Sequence, residues 1–255
     1  MNIHFHKYQG TGNDFVMIDN RQLGQSFEKD QITKLCDRRF GIGADGLILI
    51  QDHADLDFEM VYYNSDGSQS MCGNGSRCAV MFAKELGIIV NETTFQSTDG
   101  VHSAIVVGNE VALDMHDTTS VAQRSSGLFL DTGSPHHLEF VDNVEAQDVV
   151  TVGRNIRNDK EYSPNGTNVN FIEVIDEHTI KVRTYERGVE DETLSCGTGV
   201  TAASIAATEK NIQSPVTVNT LGGQLSVSFE ATANAFTNVK LIGPAKYVYE
   251  GDINI

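Results

Sequence analysis

Residues 71–87 read MCGNGSRCAVMFAKELG, and residues 195–210 read SCGTGVTAASIAATEK. Each stretch sets a cysteine, a glycine, a polar residue and a second glycine ahead of a run of small and apolar residues. That pattern predicts helices over 74–86 and 199–210, the first ended by Gly87 as a C-cap. The flanks match in order. Tyr63-Asn64-Ser65-Asp66-Gly67 precedes the first cysteine step and Tyr185-Glu186-Arg187-Gly188 the second; Thr98-Asp99-Gly100 and Thr220-Leu221-Gly222 follow. Thr11-Gly12-Asn13-Asp14-Phe15 has a looser echo in Thr167-Asn168-Val169-Asn170-Phe171. A shared order of this kind predicts two similar α+β domains in tandem, 1–117 and 118–244, parted in the weakly patterned polar stretch near 115–125.

Alternation predicts a strand from Ile3 to Tyr8, a turn at Gly10-Thr11-Gly12 and a second strand over 14–19. Helical spacing covers 28–37, and the glycine-rich GIGADG runs into an apolar strand. Gly108-Asn109 joins strands 103–107 and 110–115 as a hairpin. In the second half the pattern predicts strands at 127–130, 170–174, 179–185, 216–220, 224–229 and 238–241. It also predicts a helix over 143–155 that ends early at Gly153-Arg154.

The composition narrows the function. The chain has 255 residues, 40% of them hydrophobic, and a formal net charge of −17. That is ample for a buried core and argues against disorder. So negative a surface repels nucleic acid and anionic membranes at long range, which excludes both as expected partners. The start, MNIHFHKYQGTGNDF, is no basic leader followed by an apolar run, and no stretch of 18 apolar residues occurs, so a cytoplasmic protein is expected. Cysteines at 36, 72, 78 and 196 form no CxxC pair. Reduced thiols fit better than disulfide staples or a zinc site.

A helix N-terminus leaves backbone N–H groups unpaired and favours negative charge. A cysteine placed there gains thiolate character, and glycines beside it let a ligand approach the backbone. The same N–H groups hold a carboxylate. Two such thiols at one substrate carbon are a base and an acid on opposite faces, and they invert its configuration. The helix N–H groups would stabilise the charge that develops on the carboxylate. A lone cysteine at such a position is more often a packing residue; the repeated context favours chemistry for Cys72 and Cys196. Cys36 and Cys78 fall on apolar helical positions and read as core. No P-loop, GxGxxG fingerprint or evident Schiff-base lysine is present, so no cofactor and no metal is expected.

The motifs KYQGTGNDF, GIGADG, MCGNGSRC, SPH and YERGVEDETLSCGTG together resemble those of the diaminopimelate epimerases, over most of the chain. Asn74 stands where the related proline racemases usually have histidine. The resemblance implies two domains, each a curved sheet wrapped on a central helix, with the active site in the interdomain cleft and the last strand, 245–255, returning to the first domain. It implies cofactor-independent interconversion of LL- and meso-2,6-diaminoheptanedioate, in lysine and peptidoglycan precursor synthesis, by a homodimer. Carried over by residue, Cys72 and Cys196 are catalytic, and His136 and Glu186 tune or orient them. Asn13, Asn64, Gly73, Asn74, Asn168, Glu186, Arg187, Gly197 and Thr198 bind substrate. Ser134 departs from the family's usual asparagine, so one distal contact is expected to be lost or water-bridged. The loop 188–192 is a residue longer than its common form, and its acidic residues are expected at the mouth of the site. Two other readings stay open on residues alone: a different cofactor-independent racemase of this fold, and a non-enzymatic binding clamp.

Overall fold

The computed structural model describes residues 2–119 and 121–255, and it is dominated by strands with few helices. The chain divides into two compact units, Met1–Leu113 with Gly243–Ile255, and Asp114–Ile242.

The first unit opens with a hairpin. Strands Asn2–Gly10 and Asn13–Asp19 pair antiparallel around Thr11-Gly12. Both turn residues have positive φ, 49° and 85°, as a turn matched to strand twist requires. Asn13–Asp19 then lies parallel to Gly46–Gln51, which pairs antiparallel with Phe58–Asn64. Phe58–Asn64 runs parallel to Glu92–Ser97, and two further antiparallel pairings add Gly100–Val107 and Glu110–Asp114. The closing strand, Lys246–Asn254, pairs antiparallel with Asn2–Gly10.

Helix α1 spans Lys29–Cys36 and α2 spans Gly73–Glu85. α2 touches strands from several parts of the sheet, so the sheet curls about it. All of its residues except Met81, Lys84 and Glu85 are buried, as a helix enclosed on every side requires. α1 covers the other face, where Ile32 and Leu35 join Ile3, Phe5, Val16, Ile18, Leu47 and Leu49.

The second unit repeats this order. Leu128–Asp131 and Pro135–Phe140 form the hairpin, and Pro135–Phe140 lies parallel to Asn168–Asp176. That strand pairs antiparallel with Thr179–Glu186, which runs parallel to Val216–Thr220. Gly223–Ala231 and Ala235–Pro244 complete the meander. Helices α3, Val149–Arg157, and α4, Gly197–Ala206, take the outer and central places. Every residue of α4 except Thr198 is buried.

Two expectations need correction. The equivalent of Thr11-Gly12-Asn13 is Thr132-Gly133-Ser134, at the hairpin, and not Thr167–Phe171, whose strand occupies the place of Gly46–Gln51. The strand Pro135–Phe140 was hidden by its polar PHH start. The predicted helix over 143–155 is instead a single turn, Val144–Ala146, followed by α3, which continues through Gly153 to Arg157. Gly153 is there for contact: a Cβ on it would lie 2.5 Å from the Tyr185 Cβ, so only glycine lets α3 reach the sheet. Among the described residues, no helix is long and apolar enough to cross a membrane.

Candidate active site

Both cysteines of the repeated motif are N-caps with extended backbones. Cys72 has φ −141° and ψ 109°, and Cys196 has φ −118° and ψ 111°. Their carbonyls accept the first helical bonds, from Ser76 N and Val200 N, each at 2.8 Å. The N–H groups of Gly73 and Asn74, and of Gly197 and Thr198, therefore lie ahead of the first i to i−4 bond of their helices. The second glycine of each motif lets the helix start press on the sheet. A Cβ on Gly75 would come within 3.1 Å of Ile48, and one on Gly199 within 2.5 Å of Asn170 Oδ1.

Around Cys72 the first unit brings together Asn13, Asn74 and an arginine not foreseen from sequence, Arg77. Asn13 Oδ1 lies 3.5 Å from Cys72 Sγ and accepts from Asn74 Nδ2 at 3.3 Å. The Asn13 amide is held in turn by Asp45 Oδ2 at 2.7 Å. Asp45 is the acidic residue of GIGADG, and Arg38 ties it to Asp14, each contact at 2.7 Å. Lys7 adds an ion pair to Asp14 at 2.8 Å. Burial alone would raise the Asp14 carboxyl, but bonds from Arg38 and Lys7 outweigh it and hold it down to about 2. The loop thus works as a rigid charged bracket for Asn13.

Arg77 is fully buried one turn into α2. Its guanidinium donates to Asn74 Oδ1 at 2.9 Å, and reaches Gly73 O and Thr11 Oγ1 at 3.4 Å each. Its Nε finds no partner among the described residues. Burial lowers its pKa, while thiolate charge at Cys78 or Cys72 acts in the opposite sense. An arginine stays protonated even so. A permanent cation therefore stands beneath the Cys72 helix start. Cys78 itself is fully buried and its thiol is pushed strongly up by burial; Cys36 is pushed up to about 11 for the same reason. Both behave as core residues.

Asn64 is the last residue of the strand that leads into the turn before the cysteine step. Its amide donates to Ser68 and Ser70, and its oxygen accepts from the Tyr62 hydroxyl at 2.9 Å.

The second unit surrounds Cys196 differently. Thr198 Oγ1 lies 3.5 Å from Cys196 Sγ and 2.9 Å from His136 Nε2. The ring state follows from Asn170, a second residue not foreseen. Thr184 donates to Asn170 Oδ1 at 3.0 Å, and Asn170 Nδ2 donates to His137 O at 3.0 Å and to His136 Nδ1 at 3.1 Å. A neutral imidazole that accepts at Nδ1 carries its hydrogen on Nε2 and gives it to Thr198. The Thr198 hydroxyl hydrogen is then free to point to the sulfur or to a ligand. His136 is kept neutral by burial first and by the nearby Arg187 charge second, which push its pKa down to about 3.

Asn168 connects the remaining residues. Its Nδ2 donates to Ser134 Oγ at 2.9 Å and Pro135 O at 3.0 Å, and its Oδ1 accepts from Arg187 N at 2.9 Å. The shorter Ser134 therefore keeps a direct bond to Asn168. Arg187 also donates from Nη1 to Asn165 O at 3.2 Å. Glu186 accepts from Thr193 Oγ1 at 3.0 Å. The acidic loop is tied down inside the unit: Glu190 pairs with Arg157 at 2.9 Å and accepts from the Tyr185 hydroxyl, and Glu192 pairs with Arg183 at 2.6 Å.

Two thiols at helix starts in two copies of one scaffold narrow the search to a family, and the family model described as diaminopimelate epimerase matches residues 5–120 and 128–248. A diaminopimelate epimerase of Flavobacterium psychrophilum is 53% identical over 97% of this chain and 99% of its own length. The chain belongs to the diaminopimelate epimerase family. Another member, from Aquifex aeolicus, is 42% identical over 98% of this chain and 97% of its own. Among solved structures, a phenazine biosynthesis protein of the PhzF family from Bacillus anthracis superposes with TM-score 0.77 at 15% identity, covering both chains fully. A hydroxyproline epimerase from Agrobacterium vitis, solved with bound trans-4-hydroxy-L-proline, gives 0.69 at 14% identity over 99% of this chain and 92% of that one. At such identity these two share the epimerase fold.

Proposed function

We propose that this protein interconverts LL- and meso-2,6-diaminoheptanedioate by inverting one α-carbon without a cofactor. The observation that carries the reading is the repetition: a cysteine N-cap on a buried central helix in each unit, in a chain that matches diaminopimelate epimerases along nearly its whole length.

Cys72 and Cys196 are the base and the acid, exchanging roles with direction. The thiolate takes the α-proton, and the opposite thiol delivers one to the other face. The N–H groups of Gly73, Asn74, Gly197 and Thr198 receive the reacting carboxylate and hold the charge that builds on it as the carbanion forms. Asn13, tied to Asp45, presents a fixed polar group beside Cys72. Thr198, fed by His136, does so beside Cys196. Asn64, Asn168 and Arg187 hold the distal amino acid end, where the planar fork of Arg187 suits a carboxylate. Glu186 is a further contact for the substrate and helps to orient the reacting centre. The product feeds lysine and peptidoglycan precursor synthesis in the cytoplasm, and the working form is a homodimer.

The test is α-deuterium exchange in heavy water over a panel of amino acids. Rapid exchange into diaminopimelate, and not into proline or hydroxyproline, supports the reading. Exchange confined to the cyclic amino acids would assign another racemase activity, and no exchange with any of them would leave a binding protein.

A further inference from the structure

The first strand carries His4-Phe5-His6, a pattern that the thiol chemistry does not use. Ile3 and Phe5 face the α1 core. His4 and His6 share the opposite face, on the side of α2, where the His6 ring packs 4.8 Å from that of Phe82. The strand that returns from the end of the chain lies antiparallel alongside, with Asp252 opposite His4 and Glu250 opposite His6. Side chains of directly opposed residues project together. His6 Nε2 is 3.2 Å from Glu250 Oε2, His4 Nδ1 is 3.3 Å from Asp252 Oδ1, and the two imidazole centroids are 5.0 Å apart. One donor atom each from His4, His6 and Glu250 falls within 4.8 Å of the others, and no other such trio of His, Cys, Asp or Glu occurs among the described residues.

We propose that His4, His6 and Glu250 bind a divalent transition-metal ion of the zinc, nickel or copper class, which pins the last strand to the first. Two imidazole nitrogens and a carboxylate oxygen suit such ions and not magnesium or calcium, which take oxygen ligands. Donors around a tetrahedral ion at about 2.0–2.1 Å stand roughly 3.3 Å apart. The cluster needs to contract by up to about 1.5 Å, and the side chains of His4 and Glu250, each 51% exposed, are free to turn. Asp252 orients the His4 ring, as carboxylates beside metal-bound histidines do. Water completes the coordination. The site shares no residue with either thiol centre, so the ion is a staple and takes no part in proton transfer. Because it bridges strands at opposite ends of the chain, binding favours the folded over the unfolded chain.

The experiment is calorimetric titration of the full chain with nickel chloride. Cys72→Ser and Cys196→Ser are present together, so that no active-site thiol competes, and magnesium chloride is the control. One nickel ion per chain is expected, with no magnesium uptake and a higher melting temperature with nickel. His4→Ala and Glu250→Gln, both at exposed positions, should each weaken binding by about tenfold or more and abolish the melting shift. A difference map at the nickel absorption edge should place the ion between the two strands. No uptake at millimolar nickel, or uptake that survives both substitutions, overturns the proposal.

Discussion

The helix start at Cys72 and the helix start at Cys196 share a backbone and differ in what stands behind it. Behind Cys72 is a buried guanidinium, Arg77, together with an asparagine held by the Asp45–Arg38–Asp14–Lys7 charges. Behind Cys196 is an uncharged chain, Thr184 to Asn170 to His136 to Thr198. One thiol is supported by fixed charge, the other by oriented dipoles. The two units repeat the cysteine step, and the side chains behind it differ. A reversible reaction with unlike substrate stereocentres has use for two unlike thiols.

The largest effect is expected from removing either thiol. Cys72→Ala and Cys196→Ala should each lower kcat by about a thousandfold, the middle of the range for loss of a general acid or base. Near-ultraviolet circular dichroism should be unchanged. Retention of more than a tenth of the activity in either variant would contradict the roles assigned here.

Arg77→Met comes next. It removes the cation behind Cys72 alone, so alkylation of Cys72 by iodoacetamide should slow while that of Cys196 does not. Loss of this charged hydrogen bond is worth about 1.5–3 kcal/mol, or roughly ten- to a hundredfold if expressed in kcat. Arg77→Lys, which keeps the charge, should recover part of the loss. Equal slowing of both cysteines would mean a general structural defect instead.

Asn170→Leu tests the other side. Without its amide the His136 tautomer is no longer fixed, and a drop in kcat of about five- to tenfold is expected, the worth of one hydrogen bond of about 1–1.4 kcal/mol. Cys72 alkylation should be untouched. A change in KM without a change in kcat would place Asn170 outside the reaction.

The smallest effect is a dependence of stability on pH. His136 has its folded pKa depressed to about 3 against an unfolded value of about 6.5, so the unfolded chain binds the extra proton in between. Its contribution is intact above pH 6.5 and lost progressively as pH falls toward 3. One unit below the unfolded value, at about pH 5.5, the loss is about 1.4 kcal/mol. His137 is lowered by burial too, so the comparison is with His136→Gln, whose stability should fall less steeply over this range in urea titrations. Arg77 adds no such slope, since it does not titrate there. Equal slopes would show that His136 is not held neutral.

Sequence alone made the strand–helix rhythm and the two cysteine steps legible, because each is a local pattern: alternation, small residues, glycines after a cap. It concealed what depends on distant pairing. The tautomer of His136 is set by Asn170 and Thr184, from strands at 168–176 and 179–186, and the role of Asp45 by its contact with Asn13. Nothing local in the sequence marks Arg77; it is buried because α2 is enclosed on all sides. Gly153 read as a helix end because a glycine needed for close approach to Tyr185 has the same letter as a cap. His4-x-His6 gained its carboxylate only when the last strand returned to the first.

The most direct test of the two-thiol account is the fate of the label in the first turnovers. LL-diaminopimelate in protiated form is converted in heavy water, and substrate and product are separated early. Two unlike thiols predict deuterium at the inverted carbon of the meso product, while the unreacted LL isomer stays protiated. Deuterium appearing equally fast in the recovered LL isomer, or a product that keeps its original proton, would mean that one group serves both faces, and would contradict the account.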